Sequence, residues 1–164
     1  MKKIFCIIVL VLLFFGFFGC TQTDSSSNKF VKLEGSLCKE EGKPVVRMFS
    51  TTTCPHCQWV KPAFDEVVKK YADENKIIAY HWEWGYDEKT GAQTGDNTLT
   101  PAFEGTVPSS EEKVFQQFSP NGSVPLFVIG CKYYRIGNQF EKQNDLNAEK
   151  AEFQRIIEEV LKEN

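Results

Sequence analysis

Residues 49–62 read Phe-Ser-Thr-Thr-Thr-Cys-Pro-His-Cys-Gln-Trp-Val-Lys-Pro. Before this stretch, Pro44-Val45-Val46-Arg47-Met48-Phe49 is a short run rich in β-formers, and Lys43–Ser50 is predicted as a strand. From Cys57 onward the pattern changes. Val60, Phe64, Val67, Val68 and Tyr71 recur at three- and four-residue steps, which places them on one face of a helix. The pair Cys54 and Cys57 therefore falls at a strand-to-helix junction. Two thiols two residues apart can close a small, reversible disulfide. The first can also be held as a thiolate, because unpaired N–H groups and the helix dipole favour negative charge there. Cys54 is the expected nucleophile and Cys57, a turn further in, the resolving thiol. His56 adds a nearby donor, and a cation when protonated.

Working outward, residues 76–84 include Ile77-Ile78-Ala79-Tyr80-His81-Trp82 and are predicted as a second strand. Residues 85–110 are polar, with scattered Gly and Pro, and read as an irregular insertion. Residues 111–118 can form a short helix, and Asn121-Gly122 is a turn signal. Residues 125–130 and 132–136 are two apolar strands joined by a tight connection. Asp145 is a good N-cap for a last helix, whose buried face is Leu146, Phe153, Ile156, Ile157, Val160 and Leu161. A β-α-β beginning implies a parallel pair with a right-handed crossover, and the late hairpin adds antiparallel strands. The expected class is α/β: a central mixed sheet flanked by helices, with the insertion ahead of Pro125.

The N-terminus reads differently. Met1-Lys2-Lys3 is basic, residues 4–18 are apolar but for one Gly, and Gly19-Cys20 closes the run. This is an export-signal pattern, and its Gly-Cys end resembles a lipoprotein signal in which Cys20 carries the lipid. An uncleaved signal anchor and ordinary cleaved secretion are the alternatives, and all three place the domain outside the cytoplasm. Residues 1–19 are thus read as a signal segment, 20–29 as a Ser/Thr-rich tether and 30–164 as one folded domain. Loss of 1–19 removes Lys2 and Lys3 from the 19 basic residues and leaves the 22 acidic ones, so the net charge falls below −3. Without a basic stripe, nucleic acid is not an expected partner. Zinc normally takes four ligands, usually in two pairs. With one CxxC and two histidines, His56 and His81, no metal site is expected, and no cofactor. His81 is read as a packed or surface histidine within its strand. Trp59, Trp82, Trp84, Tyr133 and Tyr134 are read as core and sheet-face residues.

This order of elements, with CxxC at the first strand-to-helix junction, resembles the thioredoxin fold over about residues 40–163. Pro62 matches the proline inside that family's active-site helix. Val124-Pro125 matches the loop where the family places a cis-proline beside its disulfide. The Pro55-His56 pair is the one seen in DsbA-type periplasmic disulfide oxidases. The resemblance implies that Pro55, Val124 and Pro125 border a bound substrate. It also places Pro44 near Cys131 in an antiparallel pair, so that Cys131 and Cys38 could meet as a structural disulfide. Two buried free thiols or a second redox pair are the alternatives. One departure is Met48, which stands where thioredoxins carry a buried acid that moves the resolving thiol's proton, and leaves Glu83 or a water as substitutes. The implied function is a membrane-tethered thiol–disulfide oxidoreductase that oxidises exported protein dithiols and is reoxidised by a quinone-linked membrane partner. An extracytoplasmic reductase and a non-catalytic binding or chaperone module are the alternatives.

Overall fold

A computed structural model describes residues 28–164. The signal segment, Cys20 and most of the tether lie outside the described residues. The elements run β1 (Val31–Lys32), β2 (Lys39–Glu40), β3 (Lys43–Thr51), α1 (Pro55–Asp73), β4 (Ile78–Tyr86), β5 (Gln93–Asn97), α2 (Ser109–Phe118), β6 (Leu126–Ile129), β7 (Tyr133–Ile136), a 3-10 turn (Glu141–Gln143) and α3 (Leu146–Lys162). The protein is α/β, with a mixed central sheet in the order β1-β7-β6-β3-β4-β5 and β2 paired to the start of β3. The β3–β4 pair is parallel and the other pairs are antiparallel.

The centre of the sheet is β3, whose residues 44–50 are all buried. Burial on both faces explains its nearly continuous apolar run. Alternation along the strand assigns the faces. Val46 and Met48, with Phe127 and Ile129 of β6, pack against Val60, Phe64 and Val67 of α1 and Phe153, Ile156 and Ile157 of α3. On the other face Phe49, Leu126 and Val128 pack with Trp82, Val107 and Phe118, and with Val114 and Phe115 of α2. Helices thus cover both faces, and each large apolar side chain buried this way contributes roughly 1.5–3 kcal/mol.

Four charged residues inside these layers form two pairs. Arg47 of β3 donates to Glu111 of α2 through Nε (2.7 Å) and Nη2 (3.0 Å), and Trp82 Nε1 donates to the same carboxylate at 3.1 Å. Arg135 of β7 donates to Glu149 of α3, with its guanidinium among the rings of Phe30, Phe127 and Phe153, 4.6–4.9 Å from their centroids. Glu149 also accepts from the backbone N–H groups of Gln139 (3.2 Å) and Phe140 (3.0 Å).

Three readings of the sequence change. Residues 85–110 are not irregular throughout: β4 continues to Tyr86, and β5 pairs with it from Trp82↔Asn97 to Tyr86↔Gln93. The signal was weak because Gln93-Thr94-Gly95-Asp96-Asn97 has no apolar alternation and holds its place by backbone pairing at a sheet edge. The tether is shorter than 20–29, since Asn28 Nδ2 donates to the Asn138 carbonyl at 2.8 Å. On α3, Leu146 and Leu161 are only half-buried, and Glu149 lies among the fully buried residues.

Cys38 and Cys131 form a disulfide. Cys131 lies in the β6–β7 turn, where Lys132 N–H donates to the Ile129 carbonyl at 3.1 Å and both central residues have positive φ (Gly130 +60°, Cys131 +56°). Glycine is required at the first of these, because a Cβ there would lie 2.9 Å from Leu37 and 3.0 Å from Val160. The β3–β6 register runs from Phe49↔Leu126 to Val46↔Ile129, and beyond it Gly130 N–H donates to the Val45 carbonyl (2.8 Å) while the Gly130 carbonyl accepts from Cys38 N–H (3.0 Å). Six residues of strand, roughly 20 Å, therefore separate this disulfide from the end of β3 that leads into Cys54.

Candidate active site

The turn between β3 and α1 is held from both sides. Thr52 N–H donates to the Trp84 carbonyl (2.9 Å), Cys54 N–H to the Thr51 carbonyl (3.2 Å), and Gln58 Nε2 to the Thr52 carbonyl (2.7 Å). This turn delivers Cys54 as the N-cap of α1, with extended backbone (φ −87°, ψ 111°) and Pro55 as the first helical residue. A proline fits there because that N–H would have no helical partner. Cys57 N–H donates to Cys54 Sγ at 3.1 Å, so the sulfur takes the place of the usual capping oxygen. Pro62 lies inside α1 and removes the donor that the Gln58 carbonyl would otherwise receive.

The two thiols are free and differ in setting. Cys54 is half-exposed, whereas Cys57 is 1% exposed. Burial pushes the Cys57 thiol well above its ordinary range. Its hydrogen bond with Cys54 adds to that, the Thr51 backbone partly offsets it, and the Glu83 charge raises it further. Proton loss from Cys57 therefore needs an acceptor close by.

Beneath Cys57 the structure brings together side chains that the sequence did not connect. Met48 is fully buried in the apolar core, so no acid stands at that position. Its parallel partner in β4 is His81, and Ser50 pairs with Glu83. His81, read as a packed or surface residue, is fully buried. Its Nε2 lies 2.9 Å from Ser50 Oγ and its Nδ1 2.7 Å from Asp65 Oδ1. Ser50 Oγ also reaches Glu83 Oε2 at 3.4 Å, and Lys61 Nζ donates to Glu83 Oε1 at 3.1 Å. A connected polar chain thus runs from Glu83 through Ser50 and His81 to Asp65, whose side chain is partly exposed on α1. Helical spacing could have suggested part of it, since Cys57, Lys61 and Asp65 follow at four-residue steps.

A second missed group comes from the segment before α3. His56 is exposed, with a side chain 62% accessible, and its Nδ1 lies 2.8 and 2.9 Å from the two Glu141 oxygens. Asn138 Nδ2 donates to the His56 carbonyl (2.8 Å) and to Glu141 (2.9 Å), and Trp59 Nε1 donates to Asn144 Oδ1 (2.9 Å). The first turn of α1 is therefore fastened to residues more than 80 positions away.

The Val124–Pro125 peptide bond is cis, and the Pro125 carbonyl accepts from Gly137 N–H at 2.8 Å. Val124 and Thr53 line one cavity, of about 400 Å³, between the end of β4 and α2. Among the described residues, no group of three or more His, Cys, Asp or Glu side chains is disposed to hold a metal ion, and no helix is long and apolar enough to cross a membrane. No family model, curated protein or solved structure matches this chain.

Proposed function

We propose that this chain is a thioredoxin-fold thiol–disulfide oxidoreductase that gives its Cys54–Cys57 disulfide to protein dithiols outside the cytoplasm. The observation that carries the reading is the asymmetry of the pair. Cys54 is half-exposed, with its sulfur as the N-cap acceptor of α1, and Cys57 is buried behind it. The apolar run ending at Cys20 supports a membrane tether on that outer side, and an exported dithiol oxidase needs a membrane partner, here a quinone-linked one, to restore its disulfide.

In the oxidised enzyme a substrate thiolate attacks Cys54 Sγ, the Cys54–Cys57 bond breaks, and Cys57 leaves as a thiolate. Its raised proton affinity returns it to the thiol, the proton being the one that the second substrate thiol gives up, and Glu83, whose charge contributes to that affinity, is the nearby group that relays it. The second substrate thiolate attacks the substrate-side sulfur of the mixed disulfide, and the electron pair of that bond goes to Cys54. The substrate leaves oxidised by two electrons, and the enzyme holds the two electrons as a dithiol. The Cys57 N–H at 3.1 Å stabilises negative charge on Cys54 as it departs. A stabilised leaving thiolate favours the reduced enzyme, which makes the disulfide form an oxidant. Pro55, Val124 and Pro125 border the place where the substrate chain lies.

Glu83 favours a second reading, because an acceptor beside Cys57 also serves the reverse direction, in which Cys57 attacks a mixed disulfide and substrates are reduced. Equilibration of Cys54–Cys57 with glutathione decides the direction. A potential near about −120 mV is expected, and one near about −270 mV would assign the reductase. The Cys54→Ala protein should oxidise no dithiol. Full function of that variant would mean a binding module instead.

A further inference from the structure

The cavity beside Cys54 is a built space with one sign of charge at its edge. Its walls include Trp84 at the end of β4 and Phe115 of α2, whose rings meet at 4.8 Å. Tyr86, two residues beyond Trp84, also lines it and is 68% exposed, a large side chain left in water at the cavity's border. Among the described residues that line the space, the charged one is Glu112, and its carboxylate enters no hydrogen bond or ion pair with another described residue. Its neighbour Glu111 points the other way, into the buried pair with Arg47. Thr53, which precedes Cys54, and Val124, which precedes the cis Pro125, both line the cavity, so it opens next to the residues flanking the cysteine and the cis bond.

Volume and chemistry define the occupant. About 400 Å³ exceeds the volume of any single side chain, so the space takes one large ring with room to spare. Partly buried aromatic faces gain most from an aromatic or large aliphatic group. An unpaired carboxylate at the edge favours a cation.

We propose that this cavity is a specificity subsite for the polypeptide substrate, holding an aromatic or large aliphatic side chain next to the reacting cysteine on Trp84 and Phe115, with a basic residue of the same segment facing Glu112. The assignment rests on the thiol–disulfide reading above and names its substrate class: extended segments that combine a cysteine, a bulky apolar residue and a Lys or Arg.

The test uses the oxidised full-length protein and three dithiol peptides of one length, carrying Phe and Lys, Gly and Lys, or Phe and Glu beside the reacting cysteine. The Phe–Lys peptide should react about tenfold faster, as kcat/KM, than its Gly counterpart. It should exceed the Phe–Glu peptide by about threefold, and Glu112→Lys should invert that second ratio. Equal rates for all three peptides, or a charge ratio unmoved by Glu112→Lys, would overturn the subsite. A Phe–Lys peptide with serines for cysteines, titrated against tryptophan fluorescence, reads occupancy without redox chemistry. It should saturate with the parent protein and bind more weakly to Glu112→Lys, and a flat titration counts against the subsite. Oxidation of dithiothreitol by the parent protein is read separately. Its failure alongside a saturating titration would sink the redox reading and leave the subsite standing.

Discussion

Cys57 differs from Cys54 by one turn of helix and by nearly all of its contact with water, and the consequences are measurable. In the reduced native protein, iodoacetamide should label Cys54 and spare Cys57, and both should label in denaturant. Mass mapping of the alkylated peptides checks this, and early labelling of Cys57 would contradict its burial. Stability should also depend on pH in a defined direction. The Cys57 proton affinity is raised in the folded state from an ordinary value of 9.0, with burial the main cause. Below pH 9 both folded and unfolded chains keep the proton and the contribution is fully present. Above it the unfolded chain loses the proton first, so stability falls by about 1.4 kcal/mol per pH unit until the folded thiol itself ionises. Denaturant unfolding of the reduced protein from pH 8 to 10, compared with Cys57→Ser, isolates the effect. Identical pH profiles for the two proteins would exclude it. At this scale the sequence showed where the two thiols and His81 stand but not their partners. His81 was legible only as a histidine in a strand. Its contacts with Ser50 and Asp65 depend on a parallel register that no local pattern encodes.

Among elements, α3 shows how a helix can be read correctly and still be incompletely understood. Its cap was visible, and Asp145 Oδ1 does accept from Ala148 N–H at 2.9 Å. Phe153, Ile156, Ile157 and Val160 are buried, as their spacing requires. Glu149 broke the pattern, because an acid in the first turn ordinarily faces water and favours the helix dipole there. Here it is fully buried against Arg135, and burial lowers the proton affinity of that guanidinium. Glu149→Leu should destabilise the protein by about 3–5 kcal/mol, since it strands a buried cation. Arg135→Met combined with Glu149→Leu should recover much of that loss. Urea unfolding of the single and double variants checks both, and a double variant weaker than the single one would show that the pair itself is stabilising. The element that sequence reading missed, β5, failed for the opposite reason. It carries no apolar face to detect, and backbone bonds to β4 define it.

Across the whole molecule, the two cysteine pairs lie at opposite ends of the sheet, one bonded and one free. The Cys38–Cys131 disulfide closes a sequence separation of 93 residues. Cys38→Ala with Cys131→Ala should therefore cost about 4 kcal/mol through the freer unfolded chain. The Cys54–Cys57 equilibrium with glutathione should stay where it is, because roughly 20 Å of strand lies between the two pairs. A shift in that equilibrium would mean that the pairs are coupled. The sequence by itself determined the order of the main elements, the α/β class and the placement of Cys54 and Cys57 at a helix start. Those follow from short-range rules, namely side-chain period and capping. Tertiary structure decided that Cys38 and Cys131, which the resemblance already brought near each other, are bonded rather than free; it alone decided that Glu83, Ser50, His81 and Asp65 form one chain, that Glu141 fastens His56, and that Trp84, Phe115 and Glu112 frame a cavity lined also by Thr53. Each of these joins residues far apart in the chain. Their meeting is set by strand register and by which face each helix covers, which no local window of sequence contains.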